Sequence, residues 1–205
     1  LPAAEGWPLV SASAIAYAPW MPVPAELDVA GMERMVGAFA AAARRLRRLG
    51  YRALELDLSR GSLLASFLSP LSNHRTDEHG GSLEGRLRFP LRVLEAVRAE
   101  WPDDLPLAVA LTVSDLAPGG ITEEEALEAV RRLAGAGADL FRVLVGQTTS
   151  EFRPDYGRLY GAANSDLVRN RCHVPTVASG RITTLDELHT VVAAGRADLC
   201  VLDLG

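Results

Sequence analysis

Cysteine is scarce in this 205-residue chain, with Cys172 and Cys200 the whole complement. Two thiols cannot build a disulfide framework, and neither has neighbours at metal-ligand spacing. Both are therefore expected as core or near-surface thiols in a reducing, cytoplasmic setting. The four histidines, His74, His79, His173 and His189, show no Cys or carboxylate spacing that suggests a metal. Positive charge is also short: 21 Lys and Arg against 26 Asp and Glu leave a net charge of −5. That balance, with no basic stripe interleaved with aromatics, argues against a nucleic-acid partner. No apolar run approaches the roughly 20 residues of a membrane span, and the start has no basic n-region of a signal peptide. A Gly-x-Gly-x-x-Gly after the first strand is missing too, which weighs against an open doubly wound dinucleotide fold. One block of like charge stands out, Arg44, Arg45, Arg47 and Arg48. It falls at the end of a predicted helix, where cations complement the dipole.

What is present is one globular core's worth of apolar residues, 48% of the chain. Residues 1–27 carry Trp7, Tyr17 and Trp20 among prolines and small residues, and read as an ordered, packed extension. Asp28 is placed to cap a helix to about Leu49, with Val29, Met32, Met35, Val36, Phe39, Ala43 and Leu46 on one stripe. A buried strand follows at 53–58, then a bend at Gly61, a long polar loop over 72–82 and a helix over 83–100. The rhythm repeats with strands at 107–113, 140–145, 176–178 and 199–202. Capping boxes at Thr122/Glu125 and Thr184/Glu187 open two of the intervening helices, and a short one is expected over 166–171. Short apolar strands alternating with amphipathic helices predict an α/β fold, a parallel sheet with outer helices over 28–205.

The loop is the most distinctive stretch. Phe67-Leu-Ser-Pro-Leu-Ser-Asn-His-Arg-Thr-Asp-Glu-His-Gly-Gly-Ser-Leu-Glu-Gly-Arg-Leu-Arg-Phe-Pro90 alternates charges that can satisfy one another, so it is expected to be structured. This motif closely resembles the old yellow enzyme family of FMN-dependent NAD(P)H:flavin oxidoreductases. Gly146-Gln-Thr, Pro154-Asp-Tyr-Gly-Arg158 and Ala194-Gly-Arg-Ala-Asp-Leu199 look most like the reductase half of bifunctional salicylyl-CoA 5-hydroxylases and anthraniloyl-CoA monooxygenases. The resemblance implies a TIM (β/α)8 barrel. The five predicted strands match its strands four to eight, making a partial barrel. Such a piece leaves open parallel edges. With Leu1 rather than Met at its start and an abrupt end at Gly205, the chain is expected to be part of a longer one or to pack against another chain. The missing barrel half or a monooxygenase domain is the implied partner.

The resemblance also assigns positions. The family's strand motif for its carbonyl-polarising donors reads Glu55-Leu-Asp57-Leu-Ser-Arg60-Gly-Ser62 here. Asp57 replaces the first donor and Arg60 the second, and an ionised Asp only accepts hydrogen bonds. These two residues are the catalytic candidates, expected either to pair with each other or to act as base and anion clamp. The cation expected in the next strand falls at Ala110, and Leu144 and Val145 replace a polar pair. In the phosphate cradle, Ser179-Gly180-Arg181 survives as the cofactor-binding candidate, with its anion site at a helix start. Its usual Gly-Arg partner reads Asp203-Leu204. Each lost charge-assisted contact removes roughly 1.5–3 kcal/mol, so FMN, the family's cofactor, is expected not to bind tightly. Gln147, Tyr156 and Arg158 are the substrate-contact candidates, for a CoA-type or other small molecule. Three readings follow: a degenerate reductase-like domain with a structural or docking role, an active FMN oxidoreductase for an enone or aromatic acyl-CoA-type substrate, or a flavin-free lyase, isomerase or cyclase.

Overall fold

A computed structural model describes residues 8–152 and 155–203. A two-residue parallel pair comes first, β1 (Val10–Ser11) beside β2 (Ala25–Glu26). Helix α1 (Val29–Arg48) begins where the Asp28 carboxylate accepts the Gly31 amide at 2.6 Å. Its stripe buries Met32 and Ala43 and packs Met35, Val36, Phe39 and Leu46 on the core, while Val29 at the entrance stays 56% exposed. The chain continues through β3 (Leu54–Leu58), α2 (Leu63–Leu68), α3 (Leu83–Glu100), β4 (Leu107–Ser114) and α4 (Glu123–Gly135). It ends with β5 (Leu140–Val145), α5 (Ala162–Cys172), β6 (Thr176–Ile182), α6 (Leu185–Ala193) and β7 (Leu199–Leu202). Both expected capping boxes form, on α4 and on α6.

Strands β3 to β7 make one all-parallel sheet in chain order, as the alternation of elements predicts. Its register decides what each face carries. Leu56, Val109, Phe141 and Thr176 lie side by side across four strands, all buried on the helix side with Leu58, Leu111, Val143 and Ala178. One residue along, Asp57, Ala110, Arg142, Val177 and Leu199 line up on the opposite face. That face is open: Leu199 and Val201 are 55% and 42% exposed, and β3 and β7 are the sheet's edges. The strand at 53–58, expected to be buried, is therefore buried on one side only, because period-two alternation turns Glu55 and Asp57 to the open face.

Three local expectations change. Helix α2 is unannounced in sequence because Leu64, Ala65, Ser66, Phe67 and Leu68 are all buried, which erases any amphipathic stripe. Helix α5 runs longer than 166–171, and β6 continues past Ala178 through a register shift to Ile182. The segment before α1 is held by polar contacts rather than by its aromatics. Arg75 donates to the Ala12 and Leu27 carbonyls, at 3.0 and 2.9 Å, and the His74 amide donates to Ser13 Oγ. Tyr17 and Trp20 stay 41% and 74% exposed, and Trp7 lies outside the described residues.

The loop after α2 is structured, as its charges predict. Asn73 donates to the Phe67 and His79 carbonyls and accepts the Arg75 amide, so its buried amide is satisfied on both sides. Asp77 holds Arg75 and accepts the His79 amide, and the Arg75 contact lowers the Asp77 pKa to about 2. Arg86, buried in α3, donates to the Leu68 carbonyl at 2.6 Å and pairs with Glu125. A stretch this polar stays ordered because nearly every buried donor and acceptor finds a partner. The exception is His79, 3% exposed, whose Nδ1 has none.

Candidate functional site

Across the open face runs an ion pair. The Arg142 guanidinium on β5 grips the Glu55 carboxylate on β3 with two bonds, Nε to Oε2 at 2.8 Å and Nη2 to Oε1 at 2.5 Å. Glu55 stands in register with Ala108 and Arg142 with Ala110, so the pair crosses β4 diagonally between two methyl groups. Neighbouring strands are about 4.8 Å apart, and only small residues on β4 let two long side chains lie flat over it. Ala110 is fully buried beneath them. The Glu55 bond raises the Arg142 pKa further, with a smaller contribution from the Asp57 carboxylate.

Asp57 and Arg60, expected to act as a pair, are separated by the turn between them. The Asp57 Oδ1 accepts the Ser59 amide at 2.9 Å and the Ser59 hydroxyl at 2.6 Å. Arg60 sits in the left-handed region at φ 51°, with Gly61 beside it at φ 71°, and its amide donates to Thr112 Oγ1 at 3.0 Å. Among the described residues no ion pair joins Asp57 to Arg60 within 4.0 Å. Two consecutive left-handed residues turn the Arg60 backbone onto β4, and the Asp57 carboxylate contributes to the raised Arg142 pKa.

The remaining candidates gather at the carboxyl ends of β5 and β6. Gly146 and Gln147 both have positive φ, and a Cβ on Gly146 would strike the Tyr156 hydroxyl. Burial raises the Tyr156 pKa, with the Gln147 backbone beside the hydroxyl opposing the shift. Tyr156 stacks on Tyr160 at 4.7 Å, and Tyr160 lies against Gly180 (φ 116°), where a side chain would meet its ring. Arg181 Nη1 donates to the Tyr156 carbonyl at 2.9 Å. Gln147, Tyr156, Gly180 and Arg181 thus form one contact set. Arg158 turns away to Glu187, Nε to Oε1 at 2.5 Å.

Glu187 also decides what the start of α6 can hold. Its Oε2 accepts the amides of Thr183 and Thr184 at 2.7 and 3.0 Å and the Thr183 hydroxyl at 3.1 Å. The Thr183 amide, followed by Arg158 and Thr184, lowers the Glu187 pKa to about 2, so the carboxylate is ionised at neutral pH. Two backbone amides at this helix start are thus held by the chain's own carboxylate, while the Ser179-Gly180-Arg181 backbone is not among its donors. Asp203, whose amide donates to the Ile182 carbonyl at 2.7 Å, adds a second acidic residue at this end of the sheet. Leu204 and Pro154, parts of two quoted motifs, lie outside the described residues.

One buried group escaped the sequence reading. Asp115, 3% exposed just beyond β4, accepts the Ser69 hydroxyl at 2.7 Å, the Ile121 amide at 2.8 Å and the Thr148 hydroxyl. It ties the loops after α2, β4 and β5 together. The available signal was a Ser-Asp pair at a strand's carboxyl end ahead of Pro-Gly-Gly. No cluster of His, Cys, Asp and Glu suited to a metal ion exists among the described residues, nor does any helix long and apolar enough to cross a membrane.

Comparison with known proteins places these features in context. Residues 11–202 match the NADH:flavin oxidoreductase / NADH oxidase family. A NADPH dehydrogenase of Geobacillus thermodenitrificans is 37% identical over 194 residues, covering 95% of this chain and 56% of that protein. A NADPH dehydrogenase of Clostridium acetobutylicum is 36% identical, with 94% and 57% covered. Among solved structures, a 2-naphthoyl-CoA reductase in complex with 2-naphthoyl-CoA superposes with a TM-score of 0.81 at 33% identity, over 93% of this chain and 30% of the other. Morphinone reductase, with a TM-score of 0.76 at 21% identity, shares the fold. The chain spans a little over half the length of both dehydrogenases.

Proposed function

Because this chain belongs to the NADH:flavin oxidoreductase / NADH oxidase family, of old yellow enzyme type, we propose that it is a reductase-type domain whose tight FMN site has been lost and whose role is structural or docking. The observation that carries this reading is the Glu55–Arg142 pair lying over Ala110. FMN chemistry needs a fixed positive charge where the reduced ring becomes anionic, and hydrogen-bond donors for the carbonyl it acts on. On this face the arginine is neutralised by a bidentate carboxylate, and Asp57 adds a further negative charge. At the phosphate end, the Glu187 carboxylate takes the Thr183 and Thr184 amides, so a dianion finds fewer free donors there. The residues present do not fit a tightly held FMN. A domain of this kind serves as a scaffold, docking the remaining barrel half or a monooxygenase domain.

The test is the visible absorption spectrum of the purified full-length protein, before and after excess FMN and desalting. A colourless protein that takes up no flavin is expected. Flavin bands that survive desalting overturn the proposal in favour of an active oxidoreductase. For that second reading the retained Gly180 at positive φ and the likeness to 2-naphthoyl-CoA reductase point to an aromatic acyl-CoA or enone substrate near Gln147 and Tyr156. A flavin-free lyase, isomerase or cyclase would use Asp57 as base, with Arg60 or Arg142 as the anion clamp.

A further inference from the structure

At the carboxyl end of the sheet, the segment of residues 9–24 faces the loops after β3 and β5 across a cleft of about 250 Å³. A second cleft of about 260 Å³ continues it and shares Ile15, Tyr17, Leu71 and Thr149 as a wall. None of the residues proposed above for the family chemistry lines either space. We infer that this cleft is a binding site for an uncharged, planar aromatic ring, occupied independently of flavin.

Three observations carry the inference. The first is the chemistry of the walls. No Lys, Arg, His, Asp or Glu lines the first cleft, and Glu151 is the sole charged residue of the second. Three of the hydroxyls that line the first are already engaged as donors. Ser66 donates to the Leu63 carbonyl at 2.7 Å, Ser72 to the Ser66 carbonyl at 3.0 Å, and Thr148 to Asp115. A charged ligand would lose its hydration here and gain no partner.

The second is the placement of apolar surface. Leu9, Val10, Tyr17 and Met21, all large and exposed, line the first cleft, and Phe152 is exposed in the lining of the second. Clustered exposure of this kind marks a place where something apolar binds. The Tyr17 ring supplies a face or edge on which another ring stacks.

The third is rigidity. Asp115 fixes Thr148 from behind, and the Ala12 amide is held by Ser66 Oγ at 3.0 Å. Arg75 clamps the segment at both ends through the Ala12 and Leu27 carbonyls. The cleft is preformed, so a small ligand need not order it.

The test is a titration of the full-length protein with 2-naphthol, without FMN, followed by methyl NMR. Saturable shifts confined to Val10, Ile15, Met21 and Leu71 are expected. Met21→Asp and Tyr17→Ala change half-exposed side chains and should weaken binding about tenfold, the loss of one large apolar contact, with Tm unchanged. Asp57→Ala should leave the affinity as it was. 2-Naphthoate should bind at least about tenfold more weakly than 2-naphthol, since its charge has no partner. Three results overturn the inference. One is the lack of saturable binding, as when another polypeptide segment covers the cleft. Another is a shift pattern centred on Val177 and Leu199 of the open face. The third is equal affinity for naphthol and naphthoate. The flavin spectrum is unaffected by any of these outcomes, so failure here and failure of the flavin proposal are told apart.

Discussion

Burial of His79 should weaken the fold as the pH falls below 6.5. The side chain is 3% exposed, its Nδ1 is unpartnered, and its Nε2 lies 3.8 Å from Glu78 Oε1, beyond hydrogen-bond reach. Burial lowers its pKa below the ordinary 6.5, opposed by the Asp77 and Glu78 carboxylates and assisted by Arg75 and Arg88. The sign follows from proton counting: below pH 6.5 the unfolded chain takes up a proton that the folded chain refuses, so stability falls with pH until the folded imidazole also titrates. One such proton changes stability by at most about 1.4 kcal/mol per pH unit. Each pH unit below 6.5 therefore costs at most about that much until the folded imidazole titrates, roughly 3–6 °C in Tm for a domain of this size. The assay is urea unfolding of wild type and His79→Phe at half-unit pH steps. The variant has no titrating group at this site and should show a flatter slope, while Glu78→Gln, which removes an opposing carboxylate, should widen the window of loss. Equal slopes for wild type and His79→Phe would refute the reasoning. The structural consequence is local, since His79 closes the loop whose Arg75 clamps residues 12 and 27. Amide exchange in that segment should therefore quicken first as the pH falls.

Asp115→Ala leaves the Ser69, Ile121 and Thr148 donors without their buried acceptor. Hydrogen bonds to a charged group are worth about 1.5–3 kcal/mol each, so a loss of about 3 kcal/mol or more is expected in chemical denaturation. A loss under 1 kcal/mol would mean that the three loops are held by packing alone. For the pair across β4, a double-mutant cycle of Glu55→Gln and Arg142→Gln should give a coupling of about 1 kcal/mol, modest because both side chains are partly exposed. Arg142→Gln alone should cost more than Glu55→Gln, because it leaves Glu55 and Asp57 on one face without a cation. The reverse order would count against that reading.

How much could be read before the structure depended on the range of each interaction. Helix α1 with its Asp28 cap, the two capping boxes and the five strands rest on residues within a turn or a strand of one another, and local pattern places them. The charged loop was legible as ordered because Asn73, Arg75, Asp77 and His79 satisfy each other within a few positions. The resemblance also drew attention to Asp57, Ala110 and Asp203 as candidate replacements. Their consequence was not legible. Glu55 and Arg142 are 87 positions apart, and only the register of three parallel strands brings one over Ala110 to the other. The same register, with the left-handed turn at Arg60 and Gly61, separates Asp57 from the neighbour that sequence proximity offered as its partner. Asp115 gathers donors from 46, 6 and 33 positions away, a convergence that spacing along the chain does not encode. By itself the sequence determined the elements and their order, because backbone propensity and side-chain chemistry act locally. The tertiary structure alone decided which charges meet and which face lies open, because strand pairing sets those distances.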